Sequence, residues 1–295
     1  MSYWDPVDSP TSQEAGRAST EAQVRVRLPS VASVTCSGGT DFVSSPVPVL
    51  GVIPARLGSS RLPQKPLRLL AGEPLIIRVT RRLNELGVCD RVVVATDALP
   101  VATVVREAGF EAVLTAPSHD SGTARVAEVI EKQEFKHFDL ILNVQGDEPL
   151  VAAAAVHGAL ARLAHGDPIG TAAGALEPVL ASDPNRVKVV VGPEGRALYF
   201  SRAAIPFDRD GSGAVVYHQH VGVYGYTRAA LRRWVGLPPV PEERWERLEQ
   251  LRPLLHGIPI GVTLFDEAPA PGVDTAADLE WAEQALARQL KEVSP

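Results

Sequence analysis

Residues 49–66 read Val-Leu-Gly-Val-Ile-Pro-Ala-Arg-Leu-Gly-Ser-Ser-Arg-Leu-Pro-Gln-Lys-Pro. The apolar run Val49–Pro54 has the length of one buried strand, and the turn-rich segment Ala55–Pro66 after it holds neither a helical nor an alternating period. Outward from this stretch, a helix is predicted over Pro74–Leu86, with Pro74 near its first turn and Gly87 as its stop. Arg91–Ala95 reads as a second strand, Pro100–Ala108 as a helix closed by Gly109, and Ser121–Glu134 as a further helix. Leu140–Val144 is a strand that stops at Gln145-Gly146-Asp147-Glu148-Pro149. Strands alternating with helices of this length mean βαβ crossovers and a largely parallel sheet. Ligands of such sheets bind beyond the carboxyl ends of the strands, so a site is expected after Pro54, Ala95 and Val144.

The second half is less regular. Strands are predicted at Ile169–Leu176, Val187–Val191, Val215–Tyr226 and Ile260–Phe265, and helices at Arg228–Val235, Glu242–Leu255 and Thr275–Leu290. Turns rich in Gly, Pro and Asp between several of these strands suggest a mixed sheet with an antiparallel excursion. Residues 1–47 are rich in Ser, Pro, Thr and Glu and hold no sustained period, so a poorly ordered extension is expected ahead of one domain over residues 48–292. The extension lacks the basic start and apolar block of a secretory signal.

With 295 residues, 45% of them hydrophobic and 22% charged, the chain has the composition of a soluble globular protein and not of a disordered, collagen-like or disulfide-stapled one. No apolar run is long enough to cross a bilayer, so no membrane partner is expected. Lys and Arg number 29 against 35 Asp and Glu, a net charge of −6, which argues against a nucleic-acid partner. Any anionic ligand must then meet locally concentrated cations or a metal. Cys36 and Cys89 form no CxxC and read as thiols of a reducing compartment, in keeping with a cytoplasmic protein.

No GxxxxGK[ST] and no strand-borne GxGxxG occurs, which leaves out two familiar phosphate devices. Arg56, Arg61 and Lys65 instead share one loop with Gly58 and two serines, directly after the first strand, where guanidinium forks and an ammonium can wrap a polyphosphate. Asp147, beside Gly146 at a strand's end, suits Mg²⁺, which takes few carboxylates plus phosphate oxygens and water. A turn Asp is the plainer alternative. Asp274 on local grounds reads as structural, because Thr275 and Asp278 form a near capping box. Ser121-Gly122-Thr123 opens a helix, as a cap or as a contact to a base or phosphate. His218 and His220 share a strand face but lack an evident third metal ligand. Glu246, Glu249 and Arg252 read as a solvated helix face, and Trp234, Trp245 and Trp281 as packing.

Together the blocks VIPARLGSSRLPQKPL, RVVVATD, HDSGTAR, ILNVQGDEPLV, DPNRVKVV, ALYFSRAAIPFDRD, HVGVYGY, RLEQLR and PGVDTAADLE follow one order from about Val49 to Ala285. In them the chain resembles the 3-deoxy-D-manno-octulosonate (KDO) cytidylyltransferases, or CMP-KDO synthetases. The resemblance implies an α/β fold, a mixed but mostly parallel sheet flanked by helices, of the Rossmann-like nucleotide-diphospho-sugar transferase type. It also implies a Mg²⁺-dependent transfer of CMP from CTP to KDO with release of pyrophosphate, a step in lipopolysaccharide biosynthesis, and commonly a homodimer. By the same resemblance Arg56, Arg61 and Lys65 hold the CTP phosphates, Ser121 and Gly122 lie at the cytosine and ribose, and Asp147 and Asp274 bind Mg²⁺. Arg56, Lys65, Asp147 and Asp274 are thereby the catalytic set, and Gln145, His220, Tyr224, Glu249 and Gln250 face the acceptor. That role for Asp274 overrides its local reading.

Two departures stand out. Gln64 occupies a position where the family usually has Gly, and Gln is a strained choice if that position needs positive φ. The run Thr115-Ala116-Pro117-Ser118-His119 lacks the family's acidic residue before the His. Two other readings therefore stay open: CMP transfer to another acid, such as the phosphonate phosphonoformate, and a CTP-binding protein without catalysis.

Overall fold

The computed structural model describes residues 47–58 and 61–293. Apart from Val47, the extension expected over residues 1–47, with Cys36, lies outside the described residues.

The strands and helices predicted in the first half are present. Strand β1 (Val49–Ala55) is buried along its whole length. A two-residue hairpin, β2 (Leu69–Leu70) and β3 (Glu73–Pro74), leads into helix α1 (Leu75–Glu85), which buries Leu75, Ile76, Ile77, Val79 and Leu83 and stops before Gly87 at φ 63°. Then come β4 (Arg91–Thr96), α2 (Leu99–Glu107), β5 (Glu111–Leu114), α3 (Gly122–Glu131), β6 (Leu140–Val144) and α4 (Ala153–Ala164). The second half adds β7 (Ile169–Leu176), β8 (Lys188–Val191), β9 (Ala197–Ser201), β10 (Tyr217–Thr227), α5 (Arg228–Val235), α6 (Pro241–Glu246), α7 (Leu251–Leu255), β11 (Ile260–Phe265) and α8 (Ala276–Val293).

The main sheet has the order β11-β7-β10-β6-β1-β4-β5, with β8 pairing β10 and β9. The pairs β1–β4, β1–β6, β4–β5 and β11–β7 are parallel, whereas β10 runs antiparallel to both β6 and β7. The mixed, mostly parallel sheet and its antiparallel excursion are thus as expected. Helices cover both faces, α1, α2 and α4 over one core and α3 and α5 over the other. From β1 the chain winds outward through β4 and β5, then returns to place β6 on β1's other side. The order therefore reverses between β1 and β6, where a doubly wound sheet opens its ligand crevice. Among the described residues no helix is long and apolar enough to cross a membrane.

The hairpin strands β2 and β3, strands β5 and β9 and helix α4 went unanticipated, and one expected element is broken. Strands β5 and β9 are four and five residues long, too short to show a period. Helix α4 is opened by Ala152–Ala155, and a run of small side chains gives little contrast between faces. The single helix expected over Glu242–Leu255 is two, because Arg247 adopts φ 52° and ψ 50° and ends α6. The solvated face of Glu246, Glu249 and Arg252 does not exist as such. Glu246 accepts from Ser201 Oγ at 2.6 Å and from the Arg202 amide at 2.9 Å, while Arg252 pairs with Glu243. Trp234 is core, but Trp245 and Trp281 are exposed.

Candidate active site

The segments after β1 and β6 lie side by side because those strands pair in register, Val52 opposite Asn143. They touch closely: a Cβ on Gly146 would stand 2.8 Å from the Pro54 carbonyl oxygen, so only glycine fits there. The third segment comes from the far end of the chain. Leu62, Leu70 and Leu75 pack with Val273 and Ala282 in a separate small core, and the Val273 amide donates to the Asp147 carbonyl at 2.8 Å. Burying each of the larger side chains is worth about 2 kcal/mol, so an apolar anchor holds together three segments that carry charge.

On that anchor the cations and carboxylates converge. Lys65 Nζ lies 2.7 Å from Asp147 Oδ2 and 2.9 Å from Asp274 Oδ1, and Arg61 Nη2 lies 2.9 Å from Asp274 Oδ2. Burial works to lower the Lys65 pKa, but the two carboxylates outweigh it and hold it above the usual lysine value. Asp274 is free to do this because its neighbours cap the helix. Asp278 Oδ2 accepts from the Asp274 and Thr275 amides, and Thr275 Oγ1 accepts from the Asp278 amide. The capping box is real, and the Asp274 carboxylate is not part of it. Arg56 is exposed at the end of β1.

Gln64, directly before the lysine, has φ 55° and ψ 35°. The position does demand the left-handed conformation, and Gln adopts it here at a cost of about 1–2 kcal/mol.

Ser121 caps α3 by accepting the Ala124 amide at 3.1 Å. A Cβ on Gly122 would stand 3.3 Å from both Gln145 Oε1 and Pro54 Cγ, so the start of α3 packs on the same two segments. Arg125 is buried, bonding Thr115 and reaching Asp97 at 3.3 Å, which ties α3 to the ends of β4 and β5.

The antiparallel strand β10 carries the other side of the crevice. Its Val223 lies opposite Val144, the last residue of β6, so residues 217–222 extend past the strand's carboxyl end. His220 lies on this overhang; its ring meets Phe200 edge-on at 5.1 Å and Tyr224 at 5.2 Å. Burial pushes the His220 pKa down to about 3, so the ring is neutral. Tyr224 is buried between Tyr226 and Trp234, and burial raises its phenol well above the usual value, helped by the charge of nearby Glu249. Gln250 is buried at the start of α7. Gln145 donates its amide to the Gly222 carbonyl at 3.2 Å. The start of α3 and the Gly222 overhang of β10 thus both meet the Gln145–Glu148 segment, whereas Tyr224 and Gln250 are buried.

Two charged residues of this region had no role in the sequence reading. Burial, reinforced by the Asp147 charge, pushes the Glu148 carboxyl up to about 8, and a Cβ on Gly222 would stand 3.0 Å from its Oε1. Lys188 is wholly buried and donates to the carbonyls of Asp183, Arg186 and Arg202 at 2.6–2.9 Å. Its three ammonium protons match three backbone acceptors, which fixes the loops beside β8. The visible signal was a lysine inside Val187–Val191.

Asp147 and Asp274 supply hard oxygen donors that already share one cation, which fits Mg²⁺. Among the described residues no group of three or more His, Cys, Asp or Glu surrounds a metal site. A Mg²⁺ held by these two carboxylates would draw its other ligands from substrate and water.

Three comparisons bear on this arrangement. Residues 50–260 match a family described as cytidylyltransferase. The 3-deoxy-manno-octulosonate cytidylyltransferase of Gemmatimonas aurantiaca is 54% identical over 238 residues, 79% of this chain and 92% of that protein. The protein of the same name from Methylococcus capsulatus is 49% identical over 246 residues, 80% of this chain and 95% of its own. Among solved structures, a CMP:2-keto-3-deoxy-manno-octonic acid synthetase complexed with CTP superposes with a TM-score of 0.76 at 40% identity, covering 82% of this chain and 99% of that one.

Proposed function

Because the chain belongs to the 3-deoxy-manno-octulosonate cytidylyltransferase family, we propose that it transfers CMP from CTP to KDO and releases pyrophosphate. The observation that carries this reading is the convergence of Lys65, in the segment after β1, on Asp147, in the segment after β6, and on Asp274.

The acceptor hydroxyl attacks the α-phosphorus in line, its bond to phosphorus forms as the bond to the pyrophosphate oxygen breaks, and the hydroxyl proton passes to solvent water. Arg56, Arg61 and Lys65 receive the triphosphate and offset the charge that gathers on pyrophosphate. Ser121 and Gly122 seat the base and ribose, while Gln145, His220, Tyr224, Glu249 and Gln250 orient the sugar acid. Asp147 and Asp274 would hold Mg²⁺, which when bound neutralises the triphosphate and orients it. Positioning and electrostatics supply the rate, and no covalent enzyme intermediate is needed. A homodimer working in the cytoplasm completes the proposal.

The test is pyrophosphate release from CTP and Mg²⁺, with and without KDO and with phosphonoformate in its place. KDO-dependent turnover is expected. Turnover with the phosphonate alone would move the acceptor to that class, and release with neither would leave a CTP binder.

A further inference from the structure

Strand β10 follows β7 in register up to His220 opposite Ala173, loses that register, and regains it at Tyr224 opposite Thr171. The Thr171 side chain, wholly buried, fills the irregularity. Its Oγ1 lies 2.7 Å from the Val223 carbonyl oxygen and 3.1 Å from His220 Nε2. A carbonyl only accepts, so the single hydroxyl proton of Thr171 is committed to Val223. Towards His220 the same oxygen can therefore only accept, and the donor must be Nε2–H. A neutral imidazole carries one ring proton, and burial keeps this one neutral. Nδ1 is left as a lone pair. Among the described residues it has no hydrogen-bond partner, and it is absent from the buried unpartnered nitrogens and oxygens, which are Asn143 Oδ1, Arg162 Nε and Asp167 Oδ2. The residue is half-buried and Nδ1 is not a buried unpaired atom, so this nitrogen is left accessible.

We infer that Thr171 is a positioning residue that locks His220 as the Nε2–H tautomer, so that Nδ1 meets the acceptor as a hydrogen-bond acceptor only. This rests on the proposed placement of the sugar acid at His220. It also supplies a specificity. An accepting nitrogen rewards a hydroxyl donor and repels carboxylate or phosphonate oxygens, so the site favours a polyhydroxylated acid over a small phosphonate without hydroxyls.

The lock is read directly by nitrogen NMR of the ¹⁵N-histidine-labelled protein without substrates, which stays informative even if KDO turnover is not observed. Nε2 of His220 should be protonated and Nδ1 bare, in the wild type and in Thr171→Ser; a proton on Nδ1 of the wild type overturns the inference. Thr171→Val removes the acceptor oxygen at nearly constant volume and should mix the tautomers. In kinetics, Thr171→Val should raise KM for KDO about tenfold with KM for CTP within about twofold, and Thr171→Ser should restore it. An equal rise in both KM values, or no rescue by Ser, shows a merely structural role and overturns the inference. If Thr171→Val does not fold, the wild-type and Thr171→Ser spectra decide.

Discussion

Lys65 stands between the two carboxylates that would hold the metal, so removing its charge should weaken the protein and, at the same time, strengthen its response to Mg²⁺. The variant is Lys65→Met, which keeps the apolar stem and removes the ammonium. The lysine side chain is 17% exposed against 27% for Asp147 and 38% for Asp274. Breaking a fully buried ion pair costs about 3–5 kcal/mol, and an exposed one contributes about 0–1 kcal/mol. These half-exposed partners place the loss near 2 kcal/mol. The folded state raises the Lys65 pKa above its ordinary 10.5. The folded protein therefore holds that proton more tightly than the unfolded chain, and the stabilisation is complete below the unfolded value and lost only as pH climbs through the raised one. An assay near neutral pH captures all of it. For a domain of this size, ~2 kcal/mol corresponds to a fall in Tm of about 4–8 °C. With the lysine gone, two unneutralised carboxylates remain, and Mg²⁺ at about thirty times its Kd should return about 2 kcal/mol by mass action. The assay is thermal unfolding of both proteins across a Mg²⁺ titration, without nucleotide. If Lys65→Met keeps the wild-type Tm, or if Mg²⁺ stabilises the two proteins equally, the lysine does not occupy the cation's place and the reasoning fails.

Asp147→Asn and Asp274→Asn should each lower turnover more than about 100-fold while changing CTP affinity far less, as steady-state rates and calorimetric titration will show; two active variants would remove the metal assignment. Gln64→Gly relieves a left-handed backbone at φ 55°. About 1–2 kcal/mol of strain, less about 0.5–1 kcal/mol of added unfolded-state entropy, predicts a raised melting temperature with activity kept, and a lower one would contradict the strain. His220 has its pKa pushed from 6.5 to about 3, so the unfolded chain takes up the proton first, and stability present above the ordinary value is lost as pH falls towards the folded one. Urea unfolding on either side of the ordinary histidine value should therefore show a shallower acid loss for His220→Gln than for the wild type, and parallel losses would refute the burial of a neutral ring.

The parts of this molecule that were legible in its sequence are those whose cause is local. Strands β1, β4 and β6 are apolar runs bounded by turns, and helices α1 and α2 carry their stops in Gly87 and Gly109. The demand for positive φ at residue 64 could likewise be suspected, because φ is a property of one residue. What was not legible depends on partners far along the chain. Asp274 meets Lys65 across 209 residues, a distance at which no period or spacing speaks. Lys188 is disguised as an interruption of a valine strand until its three carbonyl acceptors are seen. Arg247, left-handed at φ 52°, breaks a helix that the spacing of Glu246, Glu249 and Arg252 would continue, and Glu246 instead bonds Ser201 and Arg202 at the end of β9. Asp274 also shows why local and functional readings need not compete. The turn before α8 divides its work between neighbours: Thr275 and Asp278 satisfy the helix's first amides, so the adjacent carboxylate is spared capping. A motif that explains the backbone of a segment can thus leave one side chain of that segment unexplained, and here the unexplained carboxylate is the one that reaches the cations.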